Sequence, residues 1–290
     1  MLQYLANGLV VGAVVALAAI GLSLVYSVLR LINFAHGDTV TVGAYIALFV
    51  NTAWGLAPWH AVPFAFIVGA AVSLLLEALV WRKMRALRAG AVSRIVASIG
   101  LALVLRNLIV FAFGAEPQAY RAPVQMAFAV PGLPNVRITP DQGWILVAAV
   151  AAVAGVHALL RYSSIGKAMR ALADDADLAA VSGVPVQRVI VYTWLIGGGL
   201  AAAAGAMYGM TRPLHPELGW FMLLPMFAAI ILGGTTNAYG AILGGFLIGI
   251  VQEVSVVLIP SEYKLAVAFA VMILALLCLP RGLLGQEVLR

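Results

Sequence analysis

From Leu5 to Leu29 the chain carries no charged side chain, and apolar runs of this kind recur along its whole length. A helix needs about 20 apolar residues to cross the hydrocarbon core of a bilayer. Of 290 residues, 64% are hydrophobic and 10% are charged, where a soluble domain carries roughly 45–50% apolar and roughly 25% charged residues. Too few polar groups remain to coat a water-facing surface. The expected fold is therefore an all-α integral membrane protein with eight or nine transmembrane helices, built as one membrane domain over residues 1–290. The spans are helical because an open strand leaves its backbone unsatisfied in lipid.

The expected spans are Leu5–Leu29, Val40–Trp54, Ala61–Trp81, Ile95–Gly114, Gly143–Leu160, Val189–Thr211, Trp220–Leu232, Ala241–Ile259 and Leu265–Leu279. The second and seventh are short for full crossings. Met1-Leu2-Gln3-Tyr4 lacks the basic stretch of a signal peptide, and the run behind it is too long for a signal core. The first span is thus expected to be retained.

The net charge of +6 reflects topology and does not point to nucleic acid. Twelve of the seventeen basic residues fall on one side: Arg30, the Arg82–Arg94 cluster, Arg161, Lys167, Arg170, Arg188, Arg281 and Arg290. Arg121, Arg137, Arg212 and Lys264 fall on the other, and Arg106 lies within a span. The first side is expected in the cytoplasm, with the C-terminus inside and the N-terminus outside. Cys278 is the only cysteine, which excludes an internal disulfide and a Cys-based metal cluster.

Two loops are long enough to carry structure. Residues 115–142 are external and contain Pro117, Pro123, Pro131, Pro134 and Pro140, which suits an ordered cap or vestibule wall. Residues 161–188 are cytoplasmic. Within them Lys167–Ser182 has neither Pro nor Gly, and Met169, Leu172 and Ala176 share one helix face. Gly183 suits the C-cap and Pro185 ends the element. The expectation is one amphipathic helix at the membrane surface. Asp174, Asp175 and Asp177 disfavour an anionic leaflet and favour a protein partner.

Polar residues cluster at two further points. Asn33, His36, Gly37, Asp38, Thr39 and Thr41 separate the first two apolar runs. They read either as an ordinary polar turn or as a broken helix lining a pathway, because such residues are costly at bilayer depth. Gly233, Gly234, Thr235, Thr236 and Asn237 interrupt the seventh and eighth runs. Here the alternatives are a glycine-rich packing seam plus a loop or a second break. Paired breaks in the two halves of a transport protein mark a substrate site.

Four stretches carry a family resemblance. They are Asn33-Phe-Ala-His36-Gly37-Asp38 with its lead-in Gly21–Tyr26; Ser98-Ile-Gly-Leu with Asn107 and Phe113-Gly114; the Gly166–Gly183 loop; and Ile231-Leu-Gly-Gly234 with Gly240-Ala and Gly244-Gly245. In this order, over essentially the whole chain, they resemble the LivH-type permease subunits of branched-chain amino-acid ABC importers. The resemblance implies an inner-membrane subunit paired with a LivM-like second permease. It also implies two cytoplasmic ATPases and an extracytoplasmic substrate-binding protein as partners. Gly166, Lys167, Arg170, Asp174, Asp175 and Gly183 would belong to the loop that docks on an ATPase. Asn33, His36, Gly37 and Asp38 would sit at the broken helix beside the pathway. Transport would proceed by alternating access, with helix termini at the two breaks holding the carboxylate of a zwitterionic substrate.

The remaining polar residues are expected to be structural. Arg106 is expected to face protein, Glu77 to pair with Arg82 or Lys83, and Glu253 to meet another helix or a partner. His60, His157 and His215 show no metal-ligand spacing. Trp54, Trp59, Trp81, Trp144 and Trp220 lie near span ends, as an aromatic belt requires. No phosphate-binding loop, H-E-x-x-H or G-x-S-x-G occurs, so neither ATP hydrolysis nor another reaction, and no cofactor, is expected of this chain. The competing reading is a stand-alone secondary transporter or channel for a small polar solute, which would need no ATPase dock.

Overall fold

The computed structural model describes residues 1–123, 125–130, 132–279 and 282–284. Arg281, Arg290 and Pro131, on which the charge count and the cap in part relied, lie outside the described residues. The helices are α1 (Leu2–Leu29), α2 (Ala35–Trp54), α3 (Pro58–Leu76), α4 (Arg82–Ala86), α5 (Ala91–Phe113) and α6 (Pro140–Tyr162). They continue as α7 (Ser164–Asp174), α8 (Ala176–Val181), α9 (Val186–Tyr208), α10 (Leu218–Gly233), α11 (Ala238–Ser255) and α12 (Lys264–Cys278). A five-residue π-turn, Glu77–Trp81, joins α3 to α4. Seven helical segments are long and apolar enough to cross a membrane. The shorter apolar helix α10 lies at the seventh expected position, and α2, with its polar first turn, at the second.

The second expected span differs from its sequence reading. Its helix begins five residues earlier than Val40 and is 20 residues long. It looked short because its first turn is built from His36, Gly37 and Asp38, which interrupt the apolar pattern without interrupting the helix. The seventh is short as expected, with 16 residues in α10.

Helix starts follow local rules. Pro58 opens α3 and Pro140 opens α6, where the missing amide costs nothing. Thr139 and Gln142 cap α6 reciprocally. The described part of residues 115–142 before α6 is not helical: β1 (Phe128–Val130) and β2 (Leu133–Ile138) pair as an antiparallel hairpin, a small departure from all-α. The cap is tied down by Tyr120, whose hydroxyl donates to the carbonyls of Ala44 and Ala206 at 3.0 and 3.1 Å. Burial pushes the Tyr120 phenol well above its ordinary pKa. Asn51 adds bonds to both backbone groups of Arg121.

Lipid offers no hydrophobic drive between helices, so association relies on close backbone contact at small residues. The helix α1 is the central post, buried over most of its length. Gly8 and Gly12 of α1 face Gly245 and Gly249 of α11 in antiparallel register, with backbone against backbone. The helix α9 crosses α2 at Gly205 and Gly43 and meets α3 at Gly198 and Gly69. The tryptophan belt is only partly realised. Trp59 stacks on Trp144 and Trp54 meets Phe64 near helix ends, but Trp81 is buried and stacks on Trp194. The π-turn rotates it inward.

A side chain at Gly205 would fall on the carbonyl of Val40, whereas Gly100 has open space around it. Gly205→Leu should lower stability by about 3 kcal/mol, and Gly100→Ala should cost nothing measurable. Thermal unfolding of the purified chain in detergent reads both.

Candidate translocation site

The first break lies where α1 ends. Arg30 adopts the left-handed conformation, φ 48°, and closes the α1 C-cap by donating its amide to Tyr26. Residues 31–34 then lead directly into α2. The Asn33 side-chain oxygen accepts the Ala35 amide at 3.1 Å, so Asn33 starts α2 much as an N-cap would. Three of the polar residues that follow find a partner on another helix. His36 Nε2 lies 3.0 Å from the carbonyl of Ala18 on α1. Asp38 meets Arg106 of α5 at 3.3 Å. Thr41 accepts the amide of Gly219 at the start of α10, at 2.9 Å. Thr39 bonds back to Ala35. Asn33, His36, Asp38, Thr39 and Thr41 are between 0% and 3% exposed. The cluster is therefore buried against neighbouring helices and is not open to solvent.

Gly37 and Gly219 let α2 and α10 touch backbone to backbone, and a Cβ on either would strike the other's carbonyl. Arg106 reaches across this contact, with its guanidinium 5.3 Å from the centre of the Trp220 ring. Asp38 Oδ2 and Arg106 Nη2 are buried and lack hydrogen-bond partners. Arg106 thus faces protein, as expected, and joins the polar start of α2.

The second break is smaller. Gly233 ends α10, Gly234 sits at φ 107°, and Asn237 caps α11 through the amides of Tyr239 and Gly240. Ser23 of α1 donates to the carbonyl of Thr235 at 3.3 Å. Thr236 is exposed, and Thr235 and Asn237 are half-buried. The segment 282–284 closes over this turn: the amides of Leu283 and Leu284 donate to Leu232 and Gly233, and Asn237 donates to Leu284. Both breaks are therefore tied to α1, at Ala18 and Ser23, about 7.5 Å apart along the helix. No hydrogen bond joins one break to the other among the described residues. The first amides of α2 are taken by Asn33 and Phe34, and those of α11 by Asn237.

The surface element is two helices instead of one. Asp175 breaks it, because its carboxylate accepts the amides of Asp177 and Leu178 and so caps α8. Met169 and Leu172 are buried as expected, but past the break the buried residue is Ala179 and Ala176 is exposed. Gly183, at φ 83°, completes a Schellman C-cap: Val184 donates to Ala179 and Gly183 to Ala180. Gly166 packs against the end of α6, and the Arg170 guanidinium donates to the Leu160 carbonyl there. Lys167 and Asp174 remain exposed.

One link was not visible in the sequence. Arg30 Nη2 donates to the carbonyl of Ala173 in α7 at 2.8 Å, joining the surface element to the residue that begins the first break. Pairings of isolated charges were also legible only in part. Glu77 pairs with Arg85 instead of Arg82 or Lys83, because the π-turn shifts the register. Glu253 meets its own chain, pairing with Lys264 at the start of α12 at 2.5 Å and with Arg212 in the turn after α9 at 3.5 Å. His157 bonds to Tyr239. Among the described residues no group of His, Cys, Asp and Glu could hold a metal.

A bundle of apolar helices around a broken, polar, buried segment, with a helical element on the basic side, is the architecture of a membrane permease. The family described as branched-chain amino acid transport system, permease component, matches residues 4–276, and the chain belongs to it. It is 31% identical to the high-affinity branched-chain amino acid transport permease LivH of Salmonella typhimurium, over 98% of this chain and 96% of the relative. It is 24% identical to the LivM permease of the same organism, over 91% of this chain and 66% of that one. A solved structure, PsaBC from Streptococcus pneumoniae in complex with Fab, shares the fold at a TM-score of 0.51. Its sequence identity is 14%, covering 95% of this chain and 90% of that one. The chain is a permease component and an integral membrane protein, not an enzyme.

Removing one member of a buried ion pair strands the other. Arg106→Met should therefore destabilise the chain by about 3–5 kcal/mol. Combining it with Asp38→Asn should recover most of that loss. Denaturant unfolding in detergent of both single variants and the double variant gives the coupling energy.

Proposed function

We propose that this chain is the transmembrane subunit of an ATP-driven importer for branched-chain or related small amino acids, working by alternating access. The bond from Arg30 to Ala173 carries the mechanism. A movement of α7 and α8 pulls on the end of α1, where residues 31–34 lead into α2. The close contact of α2 with α10 at Gly37 and Gly219 closes the path in this conformation, and shifting α2 opens it. The buried residues Asn33, His36, Asp38, Thr39 and Thr41 then exchange their partners within the protein for substrate or water. Gly233–Asn237, tied to α1 at Ser23, moves with the same post.

The partners follow from this reading. Residues 1–290 form one permease domain, whose partial likeness to LivM suits pairing with a related second permease. Two cytoplasmic ATPases dock on the Gly166–Gly183 element, where Lys167 and Asp174 are free to meet them, and an external binding protein delivers substrate. The excess of Lys and Arg supports a cytoplasmic position for that element, with the hairpin cap outside and the C-terminus inside.

In proteoliposomes containing both permeases, the ATPases and the binding protein, uptake of leucine, isoleucine or valine should require ATP. Uptake by this chain alone, without ATPases, would instead show a secondary transporter. Arg30→Ala should leave ATP hydrolysis largely intact and reduce uptake about tenfold. Asn33→Ala and Thr235→Val should each impair uptake, and unchanged uptake in both would remove the two breaks from the pathway.

A further inference from the structure

At the end of the bundle that carries the hairpin, a cavity of about 240 Å³ opens between α1, the turn after α9, α10, the end of α11 and the start of α12. Its rim is charged in both senses, with Arg212, Lys264, Glu253 and Glu262. Its floor is apolar, from Val11 and Val15 of α1 and Phe221, Met222 and Pro225 of α10. It is smaller than the roughly 300–1,000 Å³ of pockets for drug-sized ligands, so it suits one small molecule.

The charges on the rim are poorly placed for stability alone. Glu253 lies in the last turn of α11, where the helix dipole disfavours a carboxylate. Lys264 is the first residue of α12, where it disfavours a cation. Glu253 is 7% exposed, and one of its oxygens, Oε1, serves both Lys264 and Arg212. Its second oxygen accepts no hydrogen bond among the described residues. Arg212 is held loosely, at 3.5 Å from Glu253 and with its guanidinium 5.6 Å from the centre of the Tyr208 ring. Of these groups Glu253 lies within a span, and an ionisable side chain kept there at such cost marks a pathway.

We propose that this cavity is an outer binding site for a free zwitterionic α-amino acid with an apolar side chain. Arg212 takes its carboxylate, the open Glu253 oxygen and Glu262 take its ammonium, and the Val11, Val15 and Phe221 floor takes its side chain. Two cations and two carboxylates leave the rim neutral, which matches a ligand with one charge of each sign and disfavours an amine or an acid alone. The site also stands directly before the closed contact. Val15 is one turn along α1 from Ala18, which holds His36, and Phe221 and Met222 follow Gly219, which holds Thr41. An occupant would wait above the point where α2 and α10 meet.

The site rests on the proposed importer function, and the two can fail separately. Binding of tritiated L-leucine to the purified full chain in nanodiscs tests the site, with leucinamide and 4-methylpentanoate as competitors that lack the carboxylate charge and the ammonium respectively. The wild type should bind leucine, and each competitor should be at least tenfold weaker. Arg212→Gln should weaken leucine at least tenfold and no longer distinguish it from leucinamide. Val11→Phe, which fills the floor and leaves every charge in place, should also abolish binding, with gel filtration confirming the fold of both variants. Leucine binding unchanged in Val11→Phe, or leucinamide competing as well as leucine, would overturn the site. If the assembled transporter carries leucine and both variants transport it with wild-type KM, the site falls and the importer reading stands. If the assembled transporter carries no apolar amino acid, both fall.

Discussion

Backbone contact at glycine is the constraint on which this structure depends. Water drives soluble helices together, but lipid does not, and helices in a bilayer associate through close packing and a few hydrogen bonds. Here α11 lies on α1 through Gly8, Gly12, Gly245 and Gly249, α9 meets α2 and α3 through Gly43, Gly69, Gly198 and Gly205, and α10 meets α2 through Gly37 and Gly219. The first two sets build the frame. The third differs, because it sits beside the polar start of α2 and forms the closure of the proposed path. A contact made by two glycines and one hydroxyl holds firmly when aligned and loses everything when α2 shifts by an ångström or two, which suits a gate better than a permanent seam.

The polar residues around that contact explain how a break persists inside an apolar bundle. Asn33, His36, Asp38 and Thr41 each bond to a different neighbour: their own helix start, α1, α5 and α10. Burying such groups without partners would cost roughly 1–3 kcal/mol apiece. Because three of these partners lie on separate elements, a movement of α2 must exchange several bonds together. Arg30 connects this set to the α7 surface element, so the part that would touch an ATPase and the part that would admit substrate are a few residues apart.

The spans were legible in the sequence because membrane helices are specified by apolar length. Each expected position carries a helix, and the start of α2 was missed because His36, Gly37 and Asp38 look like a loop while folding as a helix. The buried character of Asn33–Thr41 was legible for the same physical reason, the cost of those groups at depth. What the sequence hid depends on rotation about helix axes. The π-turn at Glu77–Trp81 moved Trp81 inward and gave Glu77 to Arg85. Asp175 read as surface charge, yet it caps α8. Arg106 stood isolated in the sequence, and only the parallel packing of α2 and α5 brings Asp38 to it. The outer cavity draws residues from five separate segments and has no signature in any of them.

The central claim is that α2 and α10 separate during transport. Phe34 and Phe227 face each other across this boundary, with ring centres 5.6 Å apart. In a Cys278→Ser background, cysteines at these two positions can be joined in the reconstituted transporter by a short bifunctional methanethiosulfonate, which forms a reducible disulfide to each. The account predicts that uptake stops when the link is made and returns when it is reduced, while ATP hydrolysis continues. Uptake at an undiminished rate through the linked protein would contradict it.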